Sequence, residues 1–438
     1  MTAPLHVRHT RDLPWSEPLA VATGLRDRDG ALALLSDGGP LGRWSWVACE
    51  PDRIHIGPVE SAAPFAALRR SEFATGTVGL VSYDAGARPA TGARTGIWPD
   101  LMLARYPAML GFDHQTRRVQ VVGRGVDAAA ARRAADMAEG WLATAVAVPA
   151  PVAPALTFVA EAPDPDYRAA VADVIARIAA GELFQANIAR AWHGELAAAA
   201  EPFDVMLRLA GTRAAAYGAY WRLGERALVS NSPELFLAFE ARTGRIETRP
   251  IKGTRSRDAD PDHDAALARD LQASAKDRAE NLMIVDLMRN DLSRVARPGT
   301  VRVERLFEIE TLPTVHHLVS TVTGTARPGV NAADLLEATF PPGSITGAPK
   351  FQAMKVIAGH EPPRGPWCGS LFLIDDEGGL TASVLIRTAG FERREGSWHY
   401  RTLAGAGIVA DSEPEAELQE TSVKIRALRE ALTGDQLV

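Results

Sequence analysis

The chain has 438 residues, 46% hydrophobic and 23% charged, with a net charge of −6 and a pI near 6.0. That length supports one large core or two to three ordinary ones, and the composition excludes a disordered chain. The acidic balance, with no lysine- or arginine-rich stripe, argues against nucleic acid as a partner. No apolar run reaches the ~20 residues of a membrane span. Met1–His6 has no basic stretch followed by an apolar one, so no secretory leader is expected. Cys49 and Cys368 stand too far apart in sequence for a disulfide framework or a metal knuckle, which suits the cytosol.

In chain order, short apolar runs at Ala31–Leu35, Arg43–Cys49, Val78–Tyr83 and Arg118–Val122 alternate with turn residues and predict strands of an antiparallel sheet. Asp127–Trp141 predicts a helix. The Ala/Val/Pro tract 145–154 that follows cannot pack a core and reads as a linker. The chain is therefore divided near residue 150, into an N-terminal region and a second region. Within the second, Asp166–Ala180 is an amphipathic helix ended by Gly181. Strands are predicted at Ala227–Ser230, Leu235–Phe239, Ile246–Ile251, Leu371–Ile374, Ser383–Thr388 and Trp398–Ala404. No βαβ alternation with a GxGxxG motif occurs, so the pattern favours α+β with antiparallel sheets over a doubly wound fold.

Several segments carry chemistry. In Arg249-Pro250-Ile251-Lys252-Gly253-Thr254, an amine sits beside a glycine that lets backbone approach a ligand. Lys252 is either an exposed lysine in a basic turn or, if desolvated, a nucleophile. Asp277 and Glu280 are three apart on a predicted helix, and so are Glu417 and Glu420 on a second helix opened by Ser412-Glu413-Pro414-Glu415, which reads as a capping box. These pairs are either solvated faces or, facing one another, oxygen ligands for a hard cation, of which Mg²⁺ fits best. Gly405-Ala406-Gly407, read as a turn between strand and helix, offers amides to a carboxylate. The segment Pro341–Lys350 joins a turn, two hydroxyls and a lysine ahead of the helix Phe351–Ala358. Arg387 is either at a sheet edge or paired with an anion. His316 and His317 are either core histidines or a base.

Residues 157–435 resemble the chorismate-utilising enzymes, in blocks from Gly181–Arg190 through Ser230–Phe236, Arg249–Thr254, Ser274–Asp291, His316–Ser320, Pro342–Lys350, Gly369–Thr388 and Gly405–Lys424 that are spread over about 240 residues. That family includes anthranilate, aminodeoxychorismate, isochorismate and salicylate synthases. Residues 1–150 resemble its N-terminal region more loosely, through Leu34-Leu35-Ser36 and Gly79–Asp84. The resemblance implies a large antiparallel β-sandwich flanked by helices. Gln185 stands where the water-adding members have a lysine, and glutamine cannot act as a base. Lys252 and Trp367 are similar to the aminodeoxychorismate branch; the anthranilate branch has alanine and tyrosine there.

The implied activity is amination of chorismate to 4-amino-4-deoxychorismate on the p-aminobenzoate path to folate. Lys252 is then the nucleophile and Glu234 the general acid, whose pKa burial must raise. Mg²⁺ is implied on Glu280 and Glu420, with Asp277 and Glu417 holding its waters. Arg387 and Gly405–Gly407 are implied to hold the enolpyruvyl carboxylate, and Ser344 and His317 to line the pocket. Neither cysteine lies on a nucleophile turn, so ammonia is expected from a separate glutamine amidotransferase subunit. Leu34-Leu35-Ser36 matches the start of a tryptophan-binding motif, although Asp37–Pro40 does not extend it. The competing readings are anthranilate synthesis and a non-catalytic chorismate or tryptophan sensor.

Overall fold

The computed structural model describes residues 7–39, 41–150, 152–312 and 315–434. The readings of Met1–His6, Pro40 and Pro151 lie outside them. Among the described residues no helix is long and apolar enough to cross a membrane.

Two antiparallel sheets, of twelve and ten strands, build the fold, with helices around them. The larger runs from Val7–Pro14 through Trp44–Ala48 and Leu32–Leu35 to Tyr217–Leu223. It continues through Arg226–Ser232, Thr388–Arg394 and Ser397–Ile408 to Gln185–Glu195. The smaller runs from Ile251–Ser256 through Val315–Thr325 and Leu235–Glu240 to Ser370–Ile374, Thr77–Val81 and Arg53–Ile56. Strands from before and after residue 150 share both sheets: Leu32–Leu35 pairs with Tyr217–Leu223, and Thr77–Val81 with Ser370–Ile374. Val78, Leu80 and Leu371 of the smaller sheet lie in one core with Val47, Leu110, Val229 and Phe391 of the larger. The exposed segment 145–150 has no regular structure, as proline and small residues dictate.

The predicted helices form at Ala128–Trp141, Asp164–Ala179, Ala275–Ser293 and Lys350–His360. Asp127 caps the first by accepting from the Ala130 amide at 2.7 Å, and Ser274 caps the third through the Asp277 amide. Three local expectations are corrected. Ser383–Thr388 is not one strand: pairing ends at Val384 and resumes at Thr388, with Arg387 in a left-handed conformation (φ 51°) between them. Gly405–Gly407 is not a turn but lies inside the strand Ser397–Ile408. The last helix, Pro414–Thr433, has Glu413 as N-cap, so no capping box forms, and Ser412 is freed to bond Glu417 Oε1 at 2.7 Å.

Lys350 anchors the loop that precedes its helix. Its ammonium pairs with Asp291 and donates to the carbonyls of Thr339 and Pro341 at 2.9 and 2.8 Å. This lysine is therefore spent on the loop and does not face a ligand. Asp291→Ala strands a largely buried ammonium and is expected to cost about 3–5 kcal/mol. Chemical denaturation reads this as a lowered midpoint; a loss under about 1 kcal/mol would contradict the anchoring role.

Candidate active site

Lys252 and Gly253 occupy a bulge. The strand Ile251–Ser256 pairs Ile251 with Val319 and then Thr254 with His317, so its register shifts across these residues. Gly253 is left-handed at φ 84°, and a Cβ there would sit 2.8 Å from Asp277 Cγ and from Leu271 Cδ1. Only glycine fits, and the bulge turns Lys252 inward. Its Nζ reaches the opposite sheet, where a Cβ on Gly407 would lie 3.3 Å from it and 2.4 Å from Gln185 Nε2. Pairing of Asn187 with Gly407 brings these groups together. Gln185 is fully buried, and neither of its amide atoms has a hydrogen-bond partner among the described residues. Buried amide atoms left so mark Gln185 as a candidate to face a ligand.

Glu234 follows the strand Arg226–Ser232 and is buried. Loss of water pushes its pKa up to about 7, against the lowering effects of a bond from the Ser344 hydroxyl, the Lys252 charge, the Ile251 amide and Lys424. At pH 7 about half of this carboxyl is protonated, and below it most, which is the state a general acid needs. His317 is held by Thr254, whose Oγ1 lies 2.8 Å from Nδ1. Burial, with the charge of Arg387, pushes its pKa down to about 3, so the ring is neutral, and Nε2 has no partner among the described residues. Trp367 is buried with Nε1 unpartnered. Its ring lies against Gly405, where a Cβ would fall 3.2 Å from Trp367 and 2.6 Å from Asn187 Oδ1. The glycines at 405 and 407 therefore serve close packing of side chains across the strand. Strand Thr388–Arg394 stops pairing at Ala389 opposite Thr402, so the other edge of Gly405–Gly407 is not covered by it.

The two acid-bearing helices do face one another. Lys276 Nζ of one lies 3.5 Å from Glu417 Oε1 of the other. Burial raises the pKa of Glu280, and Glu420 adds to this, while Lys252, Lys276 and Lys424 oppose it. Burial also works against Glu420, but Lys424, 2.6 Å away, with Lys276 and Lys252, keeps its carboxyl below the usual range. Glu417 is buried, and its Oε2 has no hydrogen-bond partner among the described residues. Asp277 is engaged by Arg255 at 3.3 Å. Among the described residues no three His, Cys, Asp or Glu side chains converge as a preformed ion site. The donor chemistry nevertheless suits a hard cation: carboxylate oxygens from two helices, one of them orphaned, with lysines balancing their charge. Both cysteines are buried. Cys49 is pushed up to about 12 and Cys368 is also raised, so neither is an activated thiol.

Lys276, Lys424 and Thr254 belong to this cluster although sequence reading did not single them out. The spacing of Lys424 four residues after Glu420 was the available signal for one of them.

A family model described as chorismate binding enzyme matches residues 47–430. The chain belongs to the chorismate binding enzyme family. It is 42% identical over 367 residues to aminodeoxychorismate synthase component 1 of Klebsiella aerogenes, covering 81% of this chain and 77% of that one. It is 35% identical over 460 residues to anthranilate synthase component 1 of Aeropyrum pernix, covering 99% and 98%. Among solved structures, anthranilate synthase component I of Streptococcus pneumoniae superposes with a TM-score of 0.71 at 25% identity, covering 98% of this chain and 93% of that one. The menaquinone-specific isochorismate synthase of Escherichia coli, at 20% identity, shares the fold with a TM-score of 0.74, covering 98% and 96%. The chain is thus a chorismate-utilising enzyme of α+β fold.

The sign of the Glu234 effect on stability is fixed by its shift. The pKa rises from 4.5 to about 7 on folding, so the folded state keeps a proton the unfolded chain has lost between these values. Stability falls as pH rises through that window, by about 3 kcal/mol in all. Glu234→Gln is expected to match the parent near pH 4.5 and to unfold at higher temperature above pH 7. A difference that does not grow with pH would contradict the burial of an ionisable group here.

Proposed function

We propose that this enzyme aminates chorismate to 4-amino-4-deoxychorismate, feeding p-aminobenzoate and folate synthesis. The observation that carries the reading is the junction of Lys252, Gln185 and Gly407, with Glu234 protonated nearby. Glutamine at 185 supplies no base to activate water, which disfavours hydration of the ring. The several relatives named aminodeoxychorismate synthase component 1, at 38–42% identity, support the same product.

Chorismate carries a ring carboxylate, an enolpyruvyl carboxylate and a C4 hydroxyl. Lys252 first gives up a proton to water, and its amine then adds through Nζ to C2. The ring electrons shift, and the C4–O bond breaks. Glu234 donates its proton to that oxygen, so water leaves. Ammonia then adds at C4, the electrons return, the Lys252 amine is expelled, and the new C4 ammonium gives up a proton that restores the acid form of Glu234. Arg387 and the Gly405–Gly407 backbone hold the enolpyruvyl carboxylate, while Ser344, His317 and Trp367 close the pocket. Magnesium would be held by Glu280 and Glu420, with Glu417 and Asp277 behind them. It would neutralise the ring carboxylate and draw electron density from the ring. Ammonia comes from a separate glutamine amidotransferase subunit: both thiols of this chain are buried and of raised pKa, and the relatives at 38–42% identity are named component 1. Tryptophan binding near Leu34–Ser36 remains a separate proposal, testable by calorimetry.

The second reading is anthranilate synthesis, which the Aeropyrum pernix similarity and the neutral, unpartnered His317 Nε2 favour. Incubation with chorismate, Mg²⁺ and concentrated ammonium at alkaline pH separates the two by product mass. Retention of the enolpyruvyl group is the expected result; fluorescent anthranilate with pyruvate would overturn it. Lys252→Ala is expected to lower turnover by at least about a hundredfold while chorismate affinity changes by only a few-fold. Equal losses of both would contradict a nucleophilic role.

A further inference from the structure

Behind the pocket lies an arginine with no solvent exposure at all. The side chain of Arg364 is 0% exposed and that of its partner Glu361 is 3% exposed. Its Nε donates to Glu361 Oε2 at 2.8 Å and its Nη2 to Glu361 Oε1 at 3.0 Å. Nη1 donates to the carbonyl of Ile345 at 3.1 Å, and Nη2 also to that of Asn187 at 2.7 Å. The guanidinium carbon lies over two rings, 4.6 Å from the centroid of Tyr83 and 5.0 Å from that of Trp367. The planar fork and its delocalised charge allow stacking and directional bonding at once, which a lysine cannot reproduce.

Each group it touches is continuous with the pocket. Ile345 follows Ser344, whose hydroxyl bonds Glu234. Asn187 lies on the strand that carries Gln185, and its Oδ1 packs against Gly405. The same strand is pinned by Glu361 Oε1, which accepts from the Ala189 amide at 2.7 Å. Trp367 is itself a pocket wall. Displacing the guanidinium therefore loosens three walls together.

The arginine is in turn held by the first half of the chain. Asp84 accepts from the Arg364 amide at 3.3 Å and the Gly365 amide at 2.7 Å, and the Tyr83 amide donates back to Gly365 at 2.9 Å. Tyr83 and Asp84 open the short helix Tyr83–Thr91, directly after the strand Thr77–Val81. We propose that Arg364 is a positioning residue for the chorismate pocket, locked in register by Tyr83 and Asp84, so that residues before 150 take part in shaping the site. The inference rests on chorismate as the substrate and not on which amino product is released.

The test compares Arg364→Lys and Asp84→Asn with the parent full-length chain, following chorismate consumption. Loss of charge-assisted bonds at the guanidinium is expected to raise chorismate KM about tenfold in Arg364→Lys and to lower kcat by a similar factor. Asp84→Asn, which keeps the shape but loses one acceptor, is expected to raise KM about threefold. A merely structural role would reduce the amount of folded enzyme, lowering Vmax and leaving KM alone. KM values within about twofold of the parent in both variants would overturn the proposal, and if Arg364→Lys does not fold, Asp84→Asn decides. Should the parent consume no chorismate, that counts against the proposed function, and chorismate Kd by calorimetry then replaces KM as the readout.

Discussion

The rest of this site depends on the exclusion of water from Glu234. A carboxyl in water is ionised well below neutrality and cannot donate a proton to a leaving hydroxyl. Burial alone raises the pKa of Glu234 to about 7, because four lowering influences, from Ser344, Lys252, the Ile251 amide and Lys424, are outweighed by desolvation. Glu234 is buried between Arg226–Ser232 of the larger sheet and Leu235–Glu240 of the smaller, where the chain passes from one sheet to the other. Closure of the two sheets requires glycines at 253, 405 and 407, where any Cβ would collide with a functional side chain or its support.

The same closure explains how opposite electrostatic demands coexist. Carboxylates from two helices and three lysines from two helices and a strand share a small volume. Burial disfavours the charged form of each acid, while the lysines restore it for Glu420 and not fully for Glu280. A site of this kind is poised for a cation and an anionic substrate together, since each brings the charge the other lacks. The supporting layer behind it is polar as well, and is built partly from residues before 150. Both sheets run through that boundary, so the N-terminal strands are structural neighbours of the pocket rather than an appended unit.

Much of this was legible in the chain. The antiparallel α+β architecture followed from strand runs bounded by turn residues. The acid pairs followed from helical spacing, and Lys252 from its glycine neighbour. What could not be read were contacts made by pairing residues far apart, such as Gly407 against Asn187, which places Gln185 beside Lys252. Local errors had local causes. Ser383–Thr388 looked like one strand because its residues favour extended structure, yet Arg387 adopts a left-handed conformation that breaks it. Ser412 looked like a cap because serine precedes proline and glutamate, but its hydroxyl is used to orient Glu417. The wider α+β sandwich was expected from the family resemblance, and the superposition on the Streptococcus pneumoniae structure agrees with it.

The claim that a protonated, desolvated Glu234 is the acid of this site is tested most directly by its own titration. Difference infrared spectra of the parent against Glu234→Gln, taken across pH 5 to 9, isolate the carboxyl stretch of that one side chain. The account predicts a protonated-carboxyl band that persists at pH 6 and disappears with a midpoint near 7. A carboxylate already fully ionised at pH 6 would contradict it.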